Sequence, residues 1–132
     1  MSSRIRSYAA PLARARGLGS AKEGVEHWWL QRLTALALAV LTLWFVWVVV
    51  RLSGASHETA LIFVARPLNT VLLILTSIVS FWHAALGLQV VYEDYIANEG
   101  ARLAAIILTK FAAVALITAT VIAVLRIAFG VV

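Results

Sequence analysis

Residues 68–95 read LNTVLLILTSIVSFWHAALGLQVVYEDY. The apolar run from Leu68 to Val91 is long enough to cross a bilayer as a helix, for which roughly 20 residues suffice. It holds one ionisable side chain, His83. An ionisable group deep in a hydrophobic span is costly and by default marks a functional position. Imidazole is also the commonest metal ligand among side chains. Where the run ends, eleven and twelve positions after His83, stand Asp94 and Tyr95.

At about 100° per residue, Thr76, Ser80, His83, Gly87 and Asp94 share a sector of roughly 60° on one side of this helix. The other sides carry Leu, Ile, Val, Phe and Trp. A face of small and polar residues suits a buried helix contact in a membrane. Two readings follow, and spacing leaves both open. In one, Ser80, Ala84 and Gly87 admit a neighbouring helix and His83 hydrogen-bonds across the seam. In the other, Gly87 clears space one turn from His83 for a flat porphyrin whose iron His83 ligates. His27 and His57 belong at the membrane surfaces, too far to join His83 across one porphyrin. A second axial ligand then comes from another subunit.

Two further blocks flank this one. The whole chain of 132 residues is 63% hydrophobic and 13% charged, against about 25% charged in ordinary soluble domains. Leu33–Val50, with a start as early as Trp28, and Leu103–Phe129 are each long enough to span. Sheet edges have no place in lipid, so the expected fold is an all-α membrane protein with spans near 28–51, 68–92 and 103–129. Residues 1–23 form a basic N-terminal segment and residues 24–132 one membrane domain. The connections, Arg51–Pro67 and Glu93–Arg102, are too short for a separate catalytic domain. There is no cysteine, which excludes thiol catalysis, disulfides and iron–sulfur ligation by this chain.

The net charge of +5 gathers ahead of the first span, at Arg4, Arg6, Arg14, Arg16 and Lys22. Beside three spans, the positive-inside rule accounts for this better than nucleic-acid binding. The N-terminus is then cytoplasmic and the C-terminus on the far side, in a bacterial inner membrane. An Arg- and Ser-rich start without acids also fits a mitochondrial import sequence, and the bacterial tail is the preferred reading. Ser20 and Glu23 have capping-box spacing for a short helix, which Gly24 separates from the first span. Trp28 and Trp29 suit one headgroup belt, Trp44 and Trp47 the other. Arg32, just inside, either snorkels or binds an anion. At the second helix's end, Tyr92, Glu93, Asp94 and Tyr95 form a solvated aromatic rim, or aim a phenol at a quinone carbonyl whose charge grows on reduction.

On these residues the chain resembles the hydrophobic membrane anchors of succinate dehydrogenase, respiratory complex II. The resemblance rests on His83-x3-Gly87-x6-Asp94-Tyr95 in the second of three helices, and on Gly24-Val25-x6-Arg32 leading into the first. The stretches Gly17–Gly24 and His27–Arg32 look like the alphaproteobacterial branch. The likeness extends over nearly the whole chain. It implies three helices packed with a second anchor, the cytochrome b subunit, around a shared b-type haem. His83 supplies one axial ligand and the cytochrome b subunit the other. Arg32 lies near the propionates, with His27, Gly87 and Ser80 in the haem's surroundings. Tyr95 hydrogen-bonds ubiquinone and Asp94 supports that site. FAD and iron–sulfur clusters sit in the flavoprotein and iron–sulfur subunits, so this chain has no succinate-oxidising site of its own. One departure is that Glu26 and His27 stand where some members carry histidine and aspartate. A fumarate reductase anchor is the nearest rival. A small transporter or assembly subunit using His83 and Asp94 as a proton relay is a rival of another class.

Overall fold

Each apolar block forms a helix. In a computed structural model that describes residues 22–130, α1 spans Lys22–Leu52, α2 His57–Val64, α3 Pro67–Tyr95 and α4 Glu99–Ala128. Helices α1, α3 and α4 have 31, 29 and 30 residues. At the helical rise each is roughly 45 Å long, against about 30 Å of bilayer hydrocarbon. All three are long and apolar enough to cross a membrane. Arg4, Arg6, Arg14, Arg16 and Ser20 lie outside the described residues. Gly24 does not interrupt the helix as expected, since α1 runs through it from Lys22. A single interior glycine costs about 1 kcal/mol, too little to break a helix of this length.

Helix α2 lies in the connection between the first two spans, which apolar length alone marks as a loop. Ser56 caps it, accepting the Thr59 N–H at 3.2 Å, and Glu58 stands in its first turn, where a carboxylate favours the dipole. Eight residues are too few to hold a helix alone. Tertiary contacts supply the difference. Phe63 meets Trp47 of α1 with ring centroids 6.4 Å apart. From α3, Asn69 Nδ2 donates to the Phe63 carbonyl and Thr70 Oγ1 to the Val64 carbonyl, each at 2.7 Å. Those bonds satisfy carbonyls that a helix end leaves without intrahelical partners.

The other ends follow local chemistry. Gly54, at φ +81°, makes the turn after α1, a conformation that costs glycine little. Pro67 opens α3, where its missing N–H does no harm. Asn98 caps α4 by accepting the Ala101 N–H at 2.9 Å. Glu99 and Gly100 therefore belong to the first turn of α4 rather than to a loop before it.

Helix α3 is the centre of the packing, most extensively against α4 and next against α1. Ala85 and Leu86 on α3, Ala113 and Val124 on α4 and Val48 on α1 are buried. Two of the five are alanines, and small residues let helix backbones approach closely in lipid. Leu43, Leu108 and Phe111 are among many large apolar side chains left exposed, which suits lipid or partner helices. Four hydroxyls within the spans are satisfied within their own helices. Thr76, Ser77, Thr118 and Thr120 each donate to the carbonyl four residues back, at 2.7–3.0 Å.

Candidate functional site

His83 faces α1. Its Nδ1 lies 2.8 Å from Thr34 Oγ1. Four residues along, a Cβ added at Gly87 would meet Gln31 Nε2 at 3.9 Å. Half-buried His83 lines a cleft of about 350 Å³ with Trp28, Gln31, Arg32 and Ala35. The Arg32 guanidinium lies 4.3 Å from the centroid of the Trp28 ring, within cation–π range. Trp28 in turn meets Trp29 edge-on at 5.2 Å. The cleft thus joins an imidazole, a guanidinium and an indole between two spans.

A larger cavity of about 820 Å³ adjoins it and shares Trp28 and Gln31. Its lining includes Glu26, His27, Gln89, Glu93 and Lys110. His27 Nε2 and Gln89 Oε1 are buried atoms with no hydrogen-bond partner among the described residues. Gln89 Nε2 donates one of its two hydrogens to Glu93 Oε1 at 2.8 Å. Toward the other end of α3, Thr76 and Ser80 line a third cavity with Thr42 and Phe45 of α1 and Thr120 and Val124 of α4. Asp94 and Tyr95 close α3 and are exposed, Tyr95 by 83%. At the helical rise they lie roughly 17 Å along the axis from His83.

A family model for the succinate dehydrogenase/fumarate reductase transmembrane subunit matches residues 6–129. The chain belongs to this family. The succinate dehydrogenase hydrophobic membrane anchor subunit of Paracoccus denitrificans is 39% identical over 123 residues, covering 93% of this chain and 95% of that protein. The subunit of the same name from Rickettsia bellii (strain RML369-C) is 36% identical over 117 residues, covering 89% and 94%. The succinate dehydrogenase membrane anchor subunit of Reclinomonas americana is 33% identical over 96 residues, covering 70% and 80%. No solved structure matches the chain.

In this chain of the succinate dehydrogenase/fumarate reductase transmembrane family, the residues singled out in the sequence do not gather in one place. His83 and Arg32 share a cleft. Gly87 lies beside it, against Gln31. His27 lines the adjoining cavity, Ser80 the one beyond, and Asp94 and Tyr95 sit at the helix end. The His83–Gly87 part of the stripe on α3 faces α1 of the same chain. Thr34 escapes a reading of the sequence. Nothing there marks it beyond being a hydroxyl residue inside an apolar span. Its partner stands 49 positions away, and only the helix pairing brings them together.

Proposed function

We propose that the chain is the membrane anchor subunit of a succinate dehydrogenase in a bacterial inner membrane, with its N-terminus cytoplasmic. His83 is one axial ligand of a b-type haem shared with the second anchor, the cytochrome b subunit. Asp94 and Tyr95 form part of a ubiquinone-reduction site. The observation that carries this reading is how His83 spends its two nitrogens. Nδ1 is taken by Thr34, and Nε2 remains to bind a metal. The interhelical bond and the ligand role are therefore compatible.

The residues present fit haem. Among the described residues no three His, Cys, Asp or Glu side chains gather as a metal site, and a porphyrin needs none, since it fills four positions itself. Arg32 lines the cleft with His83, where its charge suits a propionate carboxylate. Gly87, one turn away, adds no side-chain bulk beside Gln31, whose Nε2 a Cβ there would meet at 3.9 Å. When bound, haem supplies a one-electron centre within the membrane. The cytochrome b subunit would supply the other ligand.

Tyr95 presents a phenol at the cytoplasmic end of α3, where it donates to a quinone carbonyl as charge builds on that oxygen. Asp94 supports that surface. Succinate oxidation belongs to the flavoprotein subunit, and its electrons reach the membrane through the clusters of the iron–sulfur subunit. This chain oxidises no succinate itself. The family description covers fumarate reductase as well, but the three relatives above all carry the succinate dehydrogenase name, which favours succinate as the electron donor.

The test is a pair of spectra, oxidised and dithionite-reduced, of the purified assembly with native chain and with His83→Ala. The native assembly should show a b-type difference spectrum and contain flavin. His83→Ala should lose or grossly alter the haem bands while succinate still reduces an artificial acceptor. An unaltered spectrum removes His83 as ligand.

A further inference from the structure

We propose that Thr34 is a positioning residue for His83, holding the imidazole as the tautomer with hydrogen on Nδ1 and so keeping the Nε2 lone pair for iron. The proposal rests on the ligand role given to His83 above. Its own support is a count of hydrogens around one oxygen.

A threonine hydroxyl has one hydrogen to donate and two lone pairs with which to accept. Thr34 Oγ1 lies 2.7 Å from the Leu30 carbonyl oxygen and 3.1 Å from that of Gln31. Carbonyls only accept. Two oxygens at 2.7 Å with no hydrogen between them repel, so the hydroxyl hydrogen belongs to the Leu30 bond. A helical threonine can reach its i−4 carbonyl in this way. The third neighbour, His83 Nδ1 at 2.8 Å, then faces a lone pair of Oγ1. Nδ1 must carry the hydrogen of that bond. A neutral imidazole has one N–H, so Nε2 is the bare nitrogen. Reversing the bond would move the hydrogen to Nε2, where it blocks coordination.

The support is also rigid. Thr34 is branched at Cβ and stiff at χ1, and its hydroxyl is tied to α1 by its own back-bond. Oγ1 is therefore a fixed acceptor built into one span, aimed at a ligand on the other. Partners of this kind orient metal-bound imidazoles and raise their basicity, and removing one typically costs about 10–100-fold in metal affinity. A more basic imidazole favours ferric over ferrous iron, so loss of the acceptor should raise the haem midpoint potential.

The experiment compares Thr34→Val, Thr34→Ala, Thr34→Ser and His83→Ala in the complete purified complex. Haem per flavin, the haem midpoint potential and succinate oxidation by an artificial acceptor are read for each. Thr34→Val and Thr34→Ala should retain flavin-level oxidation, bind haem at least several-fold less tightly, and shift the potential of remaining haem upward. Thr34→Ser keeps the hydroxyl and should restore both haem readouts. Wild-type haem content and potential in Thr34→Val overturn the proposal. So does an assembly defect in Thr34→Val deeper than that of His83→Ala, which means packing. Should His83→Ala keep its haem, the ligand assignment itself fails. Should only His83→Ala lose haem, the ligand assignment stands and the role of Thr34 is withdrawn.

Discussion

Thr109 on α4 donates its hydroxyl hydrogen to the Tyr92 phenol oxygen at 3.2 Å, tying the first tyrosine of the α3 terminus to its own chain. Tyr95, three residues on and 83% exposed, faces outward instead. The two phenols of one helix turn therefore have different surroundings. Tyr92 ties α3 to α4, whereas Tyr95 is left exposed.

Tyr95→Phe should accordingly slow quinone reduction by about tenfold to a hundredfold, the effect of removing one hydrogen bond to an oxygen that gains charge. Succinate oxidation by an artificial acceptor taking electrons from the flavin should stay at the native rate. Tyr92→Phe should leave quinone reduction near native and lower stability by about 1 kcal/mol. Parallel assays of the two variants check this. Equal loss of both activities in Tyr95→Phe counts against a quinone role.

Arg32 places a positive charge in the cleft lined by His83 while stacking on Trp28. Arg32→Ala removes that charge, which should favour ferric haem and lower its midpoint potential, opposite in sign to the shift expected for Thr34→Val. Haem retention should fall about tenfold or more, as for loss of a charge-assisted hydrogen bond. Arg32→Lys should lie between, since lysine keeps the charge but not the planar fork. Redox titration of the purified complex measures both effects. Native potential and retention in Arg32→Ala would confine its role to the stack on Trp28.

Apolar length made the three spans legible. Helix α2 was not legible, because Phe63 and Val64 hold it through bonds with Asn69 and Thr70 that no periodicity reveals. The stripe on α3 was visible as an angle. Its partner helix was not, since amphipathicity says that a face is buried and not against what. Hence His83 stood out as an ionisable group in an apolar span, while Thr34, neutral and common in such spans, did not. Asp94 and Tyr95 were readable as a helix end, and the contrast between Tyr92 and Tyr95 emerged only from the packing of α4.

At Gly87 the chain leaves room that it does not use. A methyl group there meets Gln31 Nε2 at 3.9 Å, ordinary van der Waals contact, and alanine is the better helix former by about 1 kcal/mol. Packing within this chain therefore gives no reason to exclude alanine. Gly87→Ala should assemble with native flavin-level activity. On the proposed haem site, Gly87→Leu should lose haem relative to flavin, because its branch adds bulk one turn from His83. The haem-to-flavin ratio of both variants decides the matter. Full haem in Gly87→Leu means the space serves no cofactor.

The joint between α2 and α3 concerns stability rather than electron transfer. Asn69 and Thr70 are each 9% exposed, and their side chains reach back to the carbonyls of Phe63 and Val64. The Phe63 carbonyl also receives the Arg66 N–H, but at 3.4 Å, a long bond that replaces little. Asn69→Leu keeps the volume and removes the donor, so its cost should lie near the lower end of the roughly 1–3 kcal/mol for a buried acceptor losing a partner. Adding Thr70→Val removes the second strap. The pair should cost about 2–3 kcal/mol, because α2 is too short to persist without tertiary support. Residual succinate–quinone activity after graded heating of the detergent-solubilised complex should fall earlier in Asn69→Leu and earlier still in the double variant, with unheated rates unchanged. A double variant as heat-resistant as the native complex would show that neither bond holds α2 in place.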